Sequence, residues 1–111
     1  MIYHITSLSS WLKALSDNRY ETESLYVEGF IHCSPKEKIT ETAERFYKGG
    51  KDLLILCIDE SKVESKIVYE DLYGHGYGFP HIYGMLNLEA VIDVKDLVCG
   101  ENGLFILPEG I

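Results

Sequence analysis

Three short segments share an arrangement in which a histidine stands two residues before a hydroxyl side chain: His4 with Thr6, His32 with Ser34, and His81 with Tyr83. In extended backbone, side chains two residues apart point to the same face of the strand. Each segment therefore presents an imidazole and a hydroxyl together, a combination that can bind nucleotide hydroxyls and phosphates or carry out acid–base chemistry near neutral pH. We predict a polar pocket built from these segments; the alternative is a coincidence among four histidines.

The stretch EGFIHCS places Phe30, His32 and Ser34 on one face of a predicted strand and Ile31 and Cys33 on the other. Cys33 is therefore expected to pack in the core and not to act as a nucleophile. The plainer interpretation of the polar face is a half-buried histidine satisfied by a backbone carbonyl, followed by a serine that only caps the next helix.

The carboxylates and the remaining motifs give weaker evidence for a functional site. Glu70 can orient a histidine or stabilise a developing cation, whereas Asp71 is expected to lie at a solvated strand end. The alternating glycines of GHGYG lack the spacing of a dinucleotide-binding fingerprint. Zinc binding would need histidines at recognised spacings, and no HxH or HxxxH pattern relates His4, His32, His75 or His81. We predict no metal.

Composition limits the class of protein. The 111 residues suit a single domain, 1–111, and 46% of them are hydrophobic, as in ordinary globular proteins. A formal net charge of −8 without a basic cluster argues against a nucleic-acid partner. Three cysteines without a CxxC pair, and the lack of a signal peptide or a long apolar run, predict a cytoplasmic chain that does not enter a membrane. The oligomeric state is left open.

Local patterns predict an α+β fold with a mainly antiparallel sheet. The segment SPKE begins a helix, with Ser34 as N-cap, Pro35 at the first helical position and Glu37 completing a capping box. The remaining predicted elements are a strand at 2–5, a helix at about 8–16 capped by Ser7 or Ser9, a loop at 17–24, a strand at 26–33, strands at 53–58 and 67–69, a glycine-rich loop at 72–84, and strands at 90–94 and 104–107.

Four motifs, EGFIHCS, DLLILCID, FPHIYG and LNLEAV, occur in an order and at spacings that resemble the small bacterial family known as domain of unknown function 952. The resemblance covers nearly the whole chain, with Tyr69 where a tryptophan is expected and Met85 where a proline is expected. That family is similar in architecture to ADP-ribosyltransferases, and in particular to RNA 2'-phosphotransferases. The resemblance therefore implies an ADP-ribosyltransferase-like fold of antiparallel sheet halves with two principal helices.

The resemblance also implies roles for the singled-out residues. YHIT resembles a first-strand motif whose histidine holds the adenosine ribose of NAD, which implies that His4 and Thr6 bind a ribose. Similarly, His32 and Ser34 would contact a phosphate or the second ribose, and His81 and Tyr83 would line the nicotinamide or acceptor side. Glu70 and Glu89 are both candidates for the catalytic glutamate of the transferases, and His81 or Tyr83 is the alternative at that position. We assign His32, His81 and Glu70 as catalytic candidates, and His4, Thr6, Ser34 and Tyr83 as ligand-binding candidates.

Three functional hypotheses follow. The first is an ADP-ribosyltransferase-like protein that binds NAD or a related nucleotide as co-substrate and transfers or hydrolyses ADP-ribose, a glycosyl transfer. The second is a non-catalytic module that binds a nucleotide or metabolite on the same fold. The third is a partner-binding domain whose contact surface is the glycine-rich and aromatic loop around Tyr77 and Phe79.

Overall fold

Antiparallel sheets flanked by helices form the fold in the computed structural model, which describes residues 1–72, 74 and 76–111. The prediction of an α+β protein with antiparallel sheets is confirmed, and the two longer helices are α1 and α3. The elements run in the order β1 (Ile2–Ser7), α1 (Leu8–Asp17), α2 (Glu23–Val27), β2 (Ile31–His32), α3 (Ile39–Phe46), β3 (Leu53–Ile58), β4 (Lys66–Glu70), β5 (Phe79–Tyr83), β6 (Val91–Cys99) and β7 (Phe105–Ile106).

The larger sheet has the strand order β1-β3-β6-β7. Its strand β3 consists of six apolar residues that are all buried, because both faces of the strand are covered. On one face, Ile55 packs in a cluster with Ile39 and Ala43 of α3. On the other face, Leu56 packs in a second cluster with Ile31 and Ile82 of the smaller sheet. The larger sheet therefore lies between α3 and the smaller sheet.

The smaller sheet has the strand order β2-β5-β4, with β5 in the middle. Its register places His32 opposite His81 and Val68 opposite the same His81. The two sheets are joined where Tyr3 and Ser34 exchange backbone hydrogen bonds of 2.9 and 2.7 Å. This junction brings the polar residues of β1 next to those of β2 and β5.

Helix α1 forms as predicted, because Ser7 accepts a hydrogen bond from the backbone N–H of Ser10 at 3.1 Å and so caps the first turn. The strand prediction for 26–33 was wrong in its first half. Thr22 instead caps the short helix α2 by accepting from the Leu25 N–H, so the predicted loop at 17–24 ends in a helix start. Only Ile31–His32 remains as strand.

The capping role predicted for Ser34 was also wrong. Ser34 is held by the backbone of β1, and its hydroxyl lies 3.2 Å from the Thr42 hydroxyl. A 3-10 turn at Lys36–Lys38 leads into α3, which in the described part of the chain has no side-chain cap. The capping box with Glu37 is therefore not formed.

The region 72–84, predicted as a loop, contains strand β5 at Phe79–Tyr83, which is a correction. Two of its residues, 73 and 75, lie outside the described residues, and with them the zinc candidate His75. The predicted strands at 53–58, 67–69, 90–94 and 104–107 correspond to β3, β4, β6 and β7. Across the described ranges, no helix combines the length and the apolar character that a membrane crossing requires.

Candidate functional site

A cavity of about 980 Å³ lies where β1, the end of β2, strand β5 and helix α3 meet. Its volume lies within the usual range of small-molecule sites. Glu70 and Tyr83 are absent from the described lining and lie behind His81. The lining includes five of the seven predicted site residues: His4, Thr6, His32, Ser34 and His81.

His4 is buried and hydrogen-bonded through both ring nitrogens. Its Nδ1 lies 2.5 Å from the carbonyl oxygen of His32, and its Nε2 lies 2.7 Å from the hydroxyl of Tyr20. The Tyr20 hydroxyl also lies 2.7 Å from the hydroxyl of Thr6. Tyr20 therefore bridges the imidazole and the hydroxyl of the first predicted pair.

The protonation state of His4 follows from its partners. Burial lowers the pKa of His4 to about 4, so the ring is neutral at pH 7. A carbonyl oxygen only accepts hydrogen bonds, so Nδ1 donates to His32 and Nε2 must accept. The Tyr20 hydroxyl lies between this nitrogen and the Thr6 hydroxyl and contacts both. Burial also raises the pKa of Tyr20.

His81 and Tyr83, the third predicted pair, both contact Glu70. Nδ1 of His81 lies 2.8 Å from Oε1 of Glu70, and the Tyr83 hydroxyl donates to the same oxygen. The hydrogen bond from Tyr83, followed by that from His81, holds the pKa of Glu70 below its usual value. Glu70 is therefore an ionised acceptor with its side chain 22% exposed.

The ring of His81 is enclosed and oriented by aromatic neighbours. Its side chain is 2% exposed and stacks on Phe30, with ring centroids 4.2 Å apart and an angle of 19° between the ring planes. The ring of His32 lies 5.3 Å away, edge to face. His81 lines the cavity, and within the described part of the chain its Nε2 has no hydrogen-bond partner. The arrangement engages Nδ1 with a carboxylate and leaves Nε2 available to a ligand that contacts this ring.

His32 is the accessible member of this cluster. Its Nε2 lies 3.1 Å from Oε1 of Glu28, and both side chains are 40% exposed. Ser34, the hydroxyl predicted to act with it, is buried and contacts Thr42. The prediction that Cys33 packs in the core is confirmed, and burial raises the pKa of its thiol, which disfavours the thiolate.

Helix α3 and residue 77 form one side of the cavity mouth. The Tyr77 hydroxyl donates to Glu41 at 3.2 Å, and the Lys38 ammonium lies 4.0 Å from the centre of the Tyr77 ring. Phe79 packs edge to face against Tyr77. The two aromatic residues predicted as a partner surface thus both line the cavity.

Sequence reasoning missed two features of the site. The first is Tyr20, which the sequence pattern placed in a polar loop. The available indication was that Tyr20 is an aromatic residue in an otherwise polar segment. The second is the acidic character of the cavity lining, in which Arg45 is accompanied by Glu21, Glu23, Glu28 and Glu41.

Among the described residues, no three metal-ligating side chains are grouped closely enough to hold a metal ion. The rival glutamate, Glu89, lies exposed on the 3-10 turn at Leu88–Ala90.

Comparison with known proteins gives a family and a shared fold. The family model described as "Protein of unknown function (DUF952)" matches residues 5–94. The crystal structure of protein CC0527 from Caulobacter crescentus is 31% identical, with a TM-score of 0.86 over 96% of this chain and 93% of that one. A solution NMR structure of CC0527 gives a TM-score of 0.80 over 93% and 89%. None of the curated proteins compared with this chain matches it.

Proposed function

The chain belongs to the DUF952 family of proteins of unknown function, and from this premise we propose that its cavity binds NAD or a related nucleotide and supports transfer or hydrolysis of ADP-ribose. The observation that carries the proposal is the meeting of two strand imidazoles, His32 and His81, on the wall of a cavity of about 980 Å³. An ionised carboxylate, Glu70, lies directly behind one of them. The proposal includes an ADP-ribosyltransferase-like fold, which the meeting of two antiparallel sheets at the cavity supports.

The nicotinamide end of the nucleotide is assigned to His81. Breaking the bond between nicotinamide and ribose leaves positive charge on the ribose in the transition state, which a fixed negative charge stabilises. Glu70 supplies such a charge behind the His81 ring, and Tyr83 keeps the carboxylate ionised. The glutamates of the cavity lining also suit the positively charged nicotinamide ring.

The phosphates are assigned to the opposite side of the cavity. Arg45 lines the cavity on helix α3, close in sequence to Thr42, whose hydroxyl contacts Ser34. A guanidinium and nearby hydroxyls are groups that bind phosphate oxygens. His32 would then contact the phosphate or the second ribose, as its exposure allows.

In this proposal Tyr20, and not His4, contacts the ribose. Both nitrogens of His4 are already hydrogen-bonded, and the Thr6 hydroxyl is hydrogen-bonded to Tyr20, so neither residue is well placed to bind a ligand directly. The Tyr20 oxygen retains a lone pair that can accept from a ribose hydroxyl. In this proposal His4 and Thr6 hold Tyr20 in position.

The test is a titration of isotope-labelled protein with NAD, ADP-ribose, nicotinamide and phosphate, followed by NMR. We expect saturable shifts at 20, 30–34 and 79–84 with NAD, and shifts limited to 34 and 42–45 with phosphate. The absence of saturable shifts at those residues at millimolar NAD would overturn the proposal. Arg45→Gln should weaken NAD and phosphate binding but leave nicotinamide binding unchanged, with the exposed Lys48→Gln as the matched control.

A non-catalytic binding module is the second candidate. It is favoured by the position of Glu70, which reaches the cavity only through His81, and by the engagement of His4 with protein groups. This candidate predicts the same binding shifts without release of nicotinamide from NAD. Release that is abolished in His81→Asn would exclude it.

A further inference from the structure

We propose that Nε2 of His81 is the proton-accepting atom of the cavity, that it deprotonates a small nucleophile, and that Glu70 is the residue that positions it. The reaction assigned to this base rests on the proposed function. The assignment of the base and of its positioning residue rests on contacts among His81, Glu70 and Tyr83.

The direction of the hydrogen bond fixes the form of the imidazole. An ionised carboxylate only accepts, so the neutral His81 ring carries its proton on Nδ1 and donates it to Glu70. The second nitrogen then has a free lone pair, and it belongs to the ring that lines the cavity. A general base needs such a lone pair within reach of the proton that it removes.

The surroundings hold this ring in one orientation. Glu70 and His81 lie on the neighbouring strands β4 and β5, whose register pairs Val68 with His81. Stacking on Phe30 covers one face of the imidazole. Tyr83 anchors the carboxylate by donating to the same oxygen that accepts from His81. Both residues are therefore positioned by sheet pairing rather than by a loop.

The nearest charged group to His81 is the carboxylate of Glu70. Glu70 lies 2.8 Å away and stabilises the imidazolium that forms. The other titratable neighbours are Tyr83, which donates to Glu70, and His32, whose ring is 5.3 Å away and is itself paired with Glu28. Each imidazole thus has its own carboxylate, which limits the repulsion between two positive rings.

Burial restricts the nucleophile. With 2% of the His81 side chain exposed and Phe30 stacked on the ring, little of the imidazole is open to a large nucleophile. Water and a hydroxyl of the bound ligand are small enough. We therefore propose hydrolysis or an internal transfer rather than modification of a protein acceptor.

With NAD and water the step balances as follows. The bond between the ribose carbon and the nicotinamide nitrogen breaks, and its electron pair leaves with nicotinamide, which becomes neutral. The water oxygen forms a bond to the same carbon and gives its proton to Nε2 of His81, which later releases it to solvent. The products are ADP-ribose, nicotinamide and one proton, with no oxidant or reductant.

The first test uses the protein without any ligand. Two-bond couplings between the imidazole protons and nitrogens report which nitrogen of a neutral histidine carries the proton. We expect the Nδ1–H form for His81 in the unmodified protein, loss of that single form in Glu70→Ala, and no change in the exposed control Glu64→Gln. An Nε2–H form in the unmodified protein would overturn the assignment, whatever NAD does.

The second test measures nicotinamide release and NAD affinity in the same variants. We expect His81→Asn to lose about 100-fold or more in kcat, as general bases typically contribute. Glu70→Gln should lose about 10-fold in kcat with KM unchanged, because Glu70 positions His81 and its charge is needed only in the transition state. An unchanged kcat in either variant would overturn the role of His81 as a base positioned by Glu70. A failure of NAD to bind would overturn the proposed function instead, and the tautomer would still decide the assignment of His81.

Discussion

His4 and His81 are both buried histidines on the cavity wall, and each forms a trio with the hydroxyl residue two positions later. In the first trio the bridge between His4 and Thr6 is the phenol of Tyr20. In the second trio the bridge between His81 and Tyr83 is the carboxylate of Glu70. The spacing along the strand is the same, and the difference is the charge of the bridging group.

That difference separates His4, whose contacts are structural, from His81, which we propose to act as a base. Burial disfavours the charged form of His4, and the hydrogen bond to the neutral His32 carbonyl offsets only part of this effect. A carboxylate beside His81 compensates the charge that the ring acquires when it takes up a proton. Experiments that show His4 to be charged near neutral pH, or His81 to be inert, would contradict this comparison.

The largest expected effect is a loss of stability in mild acid that is specific to His4. The unfolded chain protonates this histidine below pH about 6.5, whereas burial lowers the pKa of His4 in the folded protein to about 4. Between these values the unfolded state binds more protons, so the free energy of unfolding falls as the pH is lowered. The full loss is about 3 kcal/mol. Urea unfolding at a series of pH values between 7 and 4.5 measures it.

His4→Gln provides the comparison, since it removes the titrating group and keeps a hydrogen-bonding side chain. The variant should be less stable than the unmodified protein at pH 7, and its stability should depend less on pH between 6.5 and 4.5. Parallel pH profiles of the two proteins would contradict a neutral His4 and remove the contrast between the two trios.

The next effect is the loss of the phenol that bridges the first trio. Tyr20→Phe keeps the ring but leaves His4 Nε2 and the Thr6 hydroxyl without their buried partner. Leaving buried polar groups unsatisfied costs about 2 kcal/mol of unfolding free energy. The exposed Tyr26→Phe is the matched control, with an expected change within about 0.5 kcal/mol. Equal effects in urea unfolding would show that the buried bridge contributes no specific stability.

The strands and helix specified by local pattern were predictable from the sequence. Continuous apolar residues identified β3, and a serine before an amphipathic stretch identified the start of α1. Strand β5 was missed because Pro80 and the adjacent glycines are typical of loops. Its extended form depends on β2 and β4, which pair with it on either side. Such tertiary pairing leaves no local signal in the sequence.

The site was predictable to a similar degree. Alternation in extended backbone predicts that His4 lies beside Thr6 and His81 beside Tyr83, and in the structure each pair shares one bridging partner. The residues that bridge the two pairs, Tyr20 and Glu70, were not predictable as bridging residues from the sequence. Tyr20 is 14 residues from Thr6, and Glu70 is 11 residues from His81, so both contacts depend on tertiary structure and register.

The smallest effect concerns the hydroxyl of the second trio. Tyr83→Phe removes the hydrogen bond that contributes most to the low pKa of Glu70, so the pKa of this carboxyl should rise towards its usual value. Because the pKa of Glu70 is lower in the folded than in the unfolded protein, the stability that it contributes is present above the unfolded value and is lost as the pH falls through the folded value. In Tyr83→Phe, the stability that is lost on acidification through Glu70 should be smaller.

Carboxyl carbon shifts followed by NMR across the acid range measure the change at Glu70 directly. Tyr69→Phe is the matched control, because Tyr69 lies on the adjacent strand but donates to a different carboxylate, Glu60. Glu70 should respond to the first substitution and not to the second. If Tyr83→Phe leaves the titration of Glu70 unchanged, Tyr83 does not help to keep this carboxylate ionised, and the second trio reduces to the pair of His81 and Glu70.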